Sequence, residues 1–178
     1  KYIERVDERN VDEELNVSDV KSVNMDGTFA ETVANVDSER IHTYKVVKQN
    51  EFAYTNRINI GSIARRLPED GKCLVSASYD VFKIINKEKL LPEYFTLWIR
   101  RSEFFRSTGF YSVGSVKDNF SIEMMQEVAI PIPSIEIQKS IANIYNVYIK
   151  RKQINEQLKA QIKDICPILI RGSLKEGE

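Results

Sequence analysis

Histidine occurs once in these 178 residues and cysteine only twice, and that scarcity closes off several kinds of chemistry. A lone His42, in a polar stretch near Arg40, excludes most zinc sites and any histidine-based triad built from this chain alone. It is expected at the surface. Cys73 and Cys166 are far apart and sit in apolar surroundings, so they read as two reduced core thiols rather than a disulfide or a metal pair. No stretch of about 18 apolar residues exists to cross a membrane. The opening run, KYIERVDERN, has no apolar signal core, so secretion is not indicated and a cytoplasmic location is expected. There is no Walker loop, no GxGxxG after a strand and no close pair of carboxylates placed for acid–base work. The glycines of YSVGSVKDNF are weak grounds for a phosphate cradle. The expectation is a chain with no cofactor, no metal and no catalysis of its own.

What is present is an ordinary globular composition, 42% hydrophobic and 29% charged, long enough to bury one real core plus an appendage. The net charge is zero, which speaks against strong nonspecific nucleic-acid binding by the whole chain. Its distribution is uneven: residues 1–40 carry 5 basic and 11 acidic side chains, 41–130 carry 13 and 10, and 131–178 carry 8 and 5. An acidic leader followed by a mildly basic body is compatible with one localised anion-facing surface.

Residues 2–38 read as a short strand or helix and then loops. From residue 44 the stretches TYKVV, EFAYT, NIGSIARR and CLVSASYDVFKII are short and rich in β-branched and aromatic residues, which predicts strands. RLPEDGKC suits a hairpin connection. A helix then begins at Pro92, buries Leu97, Trp98, Phe104 and Phe105, and should stop at Gly109. SIEMMQEV predicts one or two helical turns, and VAIPIP an edge strand that its prolines limit.

Ser134 is a candidate N-cap for a long helix from 135 to about 166, which Pro167 would bend or end. Along it Ile137, Ile141, Ile144, Tyr148, Leu158, Ile162, Ile165 and Leu169 recur in steps of four and three. Arg151 and Asn155 take the two remaining stripe positions. That is a heptad seam interrupted once by polar residues, and a polar residue such as Asn155 can fix register and orientation. About 31 residues at about 1.5 Å each span nearly 47 Å, longer than a domain of this size is wide, so the stripe calls for a partner helix. The fold class expected is α+β: a β-rich head over 1–133 and a coiled-coil helix over 134–178.

Taken in order, EFAYTNRINIGSIARR, CLVSASYDVFKI, LLPEYFTLWIRRSEFF and GFYSVGSVKDNFSIEMMQEVAIPIPSIEIQKSIANIY resemble the specificity subunit of type I restriction-modification enzymes. The resemblance runs from about residue 44 to the end, and the IPIPSIEIQ junction before the long helix is its most specific piece. The family usually has Glu before that Gln, where this chain has Ile137, with Glu136 one place earlier. The resemblance implies a target recognition domain reading one half of a split site in double-stranded DNA. It also implies a helix that pairs antiparallel with its counterpart, recruitment of methyltransferase and restriction subunits, and no S-adenosylmethionine binding or catalysis. A full subunit has two recognition domains and two helices; this chain has one of each. It is either a fragment or a half-subunit expected to form a homodimer.

Reading bases takes donors and acceptors presented in a groove, while phosphate contacts set position. In TNRINIGS the candidates are Asn56, Arg57, Asn59 and Ser62, followed by Arg65. Arg57 suits guanine O6 and N7, and Asn59 suits adenine by the same two-point logic. Arg65 and Arg66 fall on alternate faces of a strand, so at most one faces a duplex. In FYSVGSVKDN the candidates are Tyr111, Ser112, Ser115 and Lys117, and the resemblance often has a basic residue where Lys117 stands. Tyr79 is expected in the core, and Arg100, Arg101 and Arg106 are candidate phosphate contacts. The competing reading is a protein-interaction adaptor, dimerised by its helix, with no role at DNA.

Overall fold

Among the described residues eight short strands follow the β-branched and aromatic stretches. They are β1 (Ile3–Val6), β2 (Lys21–Val23), β3 (Phe29–Glu31), β4 (Lys45–Val47), β5 (Glu51–Thr55), β6 (Ile63–Arg65), β7 (Cys73–Val75) and β8 (Tyr79–Ile84). Four helices follow: α1 (Pro92–Ile99), α2 (Ser102–Tyr111), α3 (Ile122–Glu127) and α4 (Ile135–Lys175). The structure is a computed structural model that describes residues 2–55, 63–111 and 120–175, without the side chains of 109–111 and 168–175. The class is α+β, as the sequence predicts.

Packing divides the chain into two units, Lys1–Gln138 and Lys139–Glu178. In the first, an antiparallel sheet has the order β1-β8-β5-β6. Period-two alternation explains why its central strands are buried on both sides. Phe52, Tyr54, Phe82 and Ile84 join the cluster with Phe95, Ile99 and Phe104 of the helices, while Ala53 and Val81 face Val47, Cys73 and Val75 of the paired strands β4 and β7. Phe52 and Phe82 stack at 4.9 Å between ring centroids, and Phe95 meets both edge-on at 5.3 and 6.0 Å. Each such ring contributes roughly 1.5–3 kcal/mol by leaving water.

Residues 2–38 hold more order than their polarity suggests. β1 pairs with β8 in the register Ile3↔Ile84 to Val6↔Val81, and β2 pairs with β3 across a tight turn. RLPEDGKC is not a hairpin connection, because β6 pairs with β5 and β7 with β4, so the segment passes between two sheets. Arg66 ties that passage, donating from Nε to the Gly71 carbonyl at 2.9 Å and from Nη2 to the Asp70 carbonyl.

The helix starting at Pro92 is two helices with a break at Arg100 and Arg101, and Gly109 lies inside α2 instead of ending it. A glycine costs a helix only about 1 kcal/mol, too little to stop one anchored by buried Phe104. VAIPIP forms no strand. Pro131 and Pro133 remove two donors from the same edge, and the segment is held instead by Tyr94 Oη donating to the Pro131 carbonyl at 2.9 Å. Ser121 caps α3 as an acceptor for the Met124 N–H.

α4 runs on through Pro167 to Lys175, 41 residues or about 60 Å. Lys163, whose carbonyl Pro167 leaves without a donor, is exposed, so water can satisfy it. Cys73 is buried as expected, but Cys166 is exposed on α4, not a core thiol. His42 is exposed.

Candidate nucleic-acid interface

Asn56, Arg57, Asn59 and Ser62 fall in residues 56–62, and Ser112, Ser115 and Lys117 in 112–119; both segments lie outside the described residues. So does the side chain of Tyr111, whose backbone ends α2. What the structure places is where these segments are rooted. Segment 56–62 joins β5 to β6, whose register pairs Tyr54 with Ile63. Segment 112–119 runs from α2 to Phe120, just before the cap of α3.

The two roots are joined by one hydrogen bond. Tyr54 Oη donates to the Phe120 carbonyl at 3.2 Å, and both residues are buried. A buried phenol needs such a partner. Burial, with Asp80 adding to it, holds the Tyr54 hydroxyl far above its usual titration range, so it stays a donor. Residues 66 apart in sequence are thereby fixed side by side at the bases of both candidate segments.

The far side of the first root is closed by the β2–β3 turn. Gly27 has φ +76°, and a Cβ there would lie 2.9 Å from the Ile63 carbonyl oxygen. Only glycine fits both the backbone conformation and the approach. Arg100, at the α1–α2 break, donates from Nη2 to the Gly27 carbonyl at 3.1 Å. Arg65 points from the end of β6 to Glu93, and also to Asn50 Oδ1 at 3.2 Å, with 11% of its side chain exposed. Arg66 lies over the Phe29 ring at 5.5 Å. Lys21, Arg65, Arg66 and Arg100 line a cleft of about 380 Å³ together with Glu31 and Asp70. Cations outnumber carboxylates along it, and Lys21 pairs with Glu31 and Arg66 with Asp70. Tyr79 packs on the second core cluster, as expected, and its hydroxyl takes the Val23 N–H at 3.4 Å.

α4 carries two distinct lines of residues. Gln138 and Ala142 are buried, and Tyr145 and Ile149 half-buried, on one line. The heptad stripe is a different line and is exposed: Ile144 at 71%, Tyr148 at 57%, Leu158 at 51% and Ile162 at 59%, with Ile137, Ile141, Ile165 and the polar Asn155 exposed as well.

Three residues that pattern reading missed hold this framework: Tyr54, Gly27 and Gln138. Gln138 has no exposed surface. Its Oε1 accepts from the Leu91 N–H at 2.9 Å, and its amide donates to the Lys89 and Pro133 carbonyls, each at 2.8 Å. Leu91 is the N-cap of α1 and makes no side-chain cap bond of its own, so Gln138 fastens the start of α4 to the start of α1. Its place in IPIPSIEIQ was the available signal. Among the described residues no cluster could hold a metal ion, and no helix is long and apolar enough to cross a membrane.

Residues 5–164 match the model of a family described as type I restriction modification DNA specificity domain. No curated protein matches the chain. Among solved structures, the HsdS subunit from Thermoanaerobacter tengcongensis superposes with a TM-score of 0.67 at 18% identity, covering 98% of this chain and 46% of that one. A structure titled for complex assembly and conformational transition of the type I R-M system gives 0.46 at 15% identity, covering 68% of this chain and 29% of its own. The chain thus spans less than half the length of either, and the first likeness is one of fold.

Proposed function

Because the chain belongs to the family of type I restriction modification DNA specificity domains, we propose that it reads one half of a bipartite duplex target. It carries no catalytic centre in this reading. Methyl transfer and cleavage belong to a methyltransferase subunit and a restriction subunit that it recruits, in the cytoplasm where the DNA lies. The stripe of α4 engages a second recognition half, which for this chain is a second copy, so that two heads are held at a set distance.

The observation that carries the proposal is the bond from Tyr54 to Phe120, which brings together the bases of the two segments that hold all but two of the candidate reading residues. Two loops from a shared rigid base can be presented to one stretch of groove. Arg57 takes a guanine and Asn59 an adenine, while Lys117 takes phosphate and Tyr111, Ser112, Ser115, Asn56 and Ser62 complete the surface. Arg65 joins them only by exchanging Glu93 for a phosphate.

The test starts by selecting a duplex from a random library with the methyltransferase subunit present. Arg57→Ala should then weaken binding to the selected sequence by about 1–3 kcal/mol and to unrelated duplex hardly at all. Equal losses on both would make Arg57 a phosphate contact, and no selectable sequence would overturn the reading. Affinity should fall steeply with added salt as phosphates regain counterions.

A further inference from the structure

Among the described residues β3 has β2 on one side and no strand on the other. The Asn24 N–H donates to the Thr28 carbonyl at 2.9 Å, so Thr28, and then Ala30, turn their backbone groups toward β2. Phe29 and Glu31 therefore turn theirs away. Val23, opposite Phe29, points outward on its own side in the same way, its N–H donating to Tyr79 Oη. Of the outward groups on β3, only the Glu31 carbonyl has a partner among the described residues, the Ser22 hydroxyl at 3.4 Å. Residues 27–31 form one wall of the cleft of about 380 Å³, and Arg65, Arg66, Leu67 and Asp70 also line it. Its Gly27 end is tied to β6 by the close approach to the Ile63 carbonyl, and Arg100 is bonded there.

We propose that this cleft docks an extended acidic segment of a partner protein, which adds to β3 as a further strand. Donors alternating with acceptors along an edge are matched by another strand, whereas a nucleic-acid backbone offers phosphate acceptors alone. Charge sets the sign of the occupant. Glu31 and Asp70 answer two of the four cations that line the cleft, Lys21 and Arg66. Arg65 is held through Nη1 by Glu93 and Asn50, and its buried Nε has no acceptor among the described residues. A strand sets alternate side chains to one side, so carboxylates two residues apart, about 6.8 Å, reach the arginines together. The shortness of β3 and the Lys21–Glu31 pair at 2.5 Å guard the edge against indiscriminate pairing. The proposal is independent of duplex reading and needs no residue of segments 56–62 or 112–119.

The probe is a fluorescein-labelled peptide of roughly eight residues in which glutamate alternates with valine. Its anisotropy should saturate on titration with the whole chain. The same peptide N-methylated at every second residue keeps its charge and loses edge donors, and should bind at least about tenfold more weakly. A lysine–valine peptide should lose as much. Glu31→Pro removes an outward N–H that β2 does not use, and should weaken the probe about tenfold, while Glu31→Gln should not. Amide exchange in the unaltered chain reads the same contact without a variant: Phe29 and Glu31 should slow when the probe is added. Equal binding of the methylated peptide, or no change at those two amides, would overturn the added strand. Equal binding of the lysine peptide would overturn the acidic partner. Displacement of the probe by a random-sequence duplex would hand the cleft to phosphate, and no saturation at about 1 mM peptide would leave it without a strand to dock; either overturns the proposal.

Discussion

Gln138 shows what a single side chain does for this molecule. Three hydrogen bonds engage an amide with no exposed surface, and each partner is a backbone group. Gln138→Ala should cost about 3 kcal/mol, since buried donors and acceptors left unmade carry their full desolvation penalty. Gln138→Glu should be as damaging because a carboxylate cannot donate to two carbonyls; denaturant melts of the three proteins check both. Glu51 makes a pH-dependent case. Burial pushes its carboxyl above the usual range, partly offset by the Lys48 N–H that donates to it at 2.8 Å. A carboxyl whose folded pKa is raised contributes stability below its unfolded pKa, and loses it as pH rises through the folded value. Glu51→Gln keeps an acceptor for Lys48, so the variant should match wild type near about pH 4 and melt higher at neutral pH. Identical curves at neutral pH would show that the charge is not strained. Glu51 does not announce itself in the sequence, where a glutamate in a polar context carries no sign of burial, and Gln138 is marked only by its place in IPIPSIEIQ.

At the scale of elements, the β2–β3 turn holds the exit of segment 56–62 through one glycine. Gly27→Ala brings a methyl group against the Ile63 carbonyl in a left-handed conformation, and neither backbone can yield cheaply. The variant should lose about 1–3 kcal/mol in a thermal melt. If Tyr54, Phe120 and Gly27 together present the reading segments, it should also lose DNA discrimination at temperatures where it is still folded. Elements set by local pattern were legible. EFAYT is β5 and SIEMMQEV is α3, and the four-three spacing foretold α4. Elements that depend on distant partners were not. β1 needs β8, some 78 residues away, to become a strand, and VAIPIP is denied one because its prolines withdraw donors from any ladder. The helix after Pro92 breaks at Arg100, whose side chain reaches the Gly27 carbonyl, 73 positions away, a contact that no local propensity encodes.

For the whole molecule, the proposed pairing makes the exposed stripe on α4 set the assembly state. Ile144→Lys with Leu158→Lys should convert a dimer to monomers, raising the dissociation constant by more than about 100-fold, while the head melts unchanged. Sedimentation and a thermal melt read the two effects separately, and a wild-type protein that is already monomeric would defeat the proposal. By itself the sequence determined the class of the fold, the helix with its seam, and the family, because each is written in spacing that a chain carries before it folds. Only the tertiary structure decided that Tyr54 and Phe120 meet at the roots of two segments, that Arg65 is committed to Glu93, and that Gln138 clasps α1. Those pairings join residues tens of positions apart, and a hydrogen bond depends on where folding brings its two ends, not on the residues beside each of them.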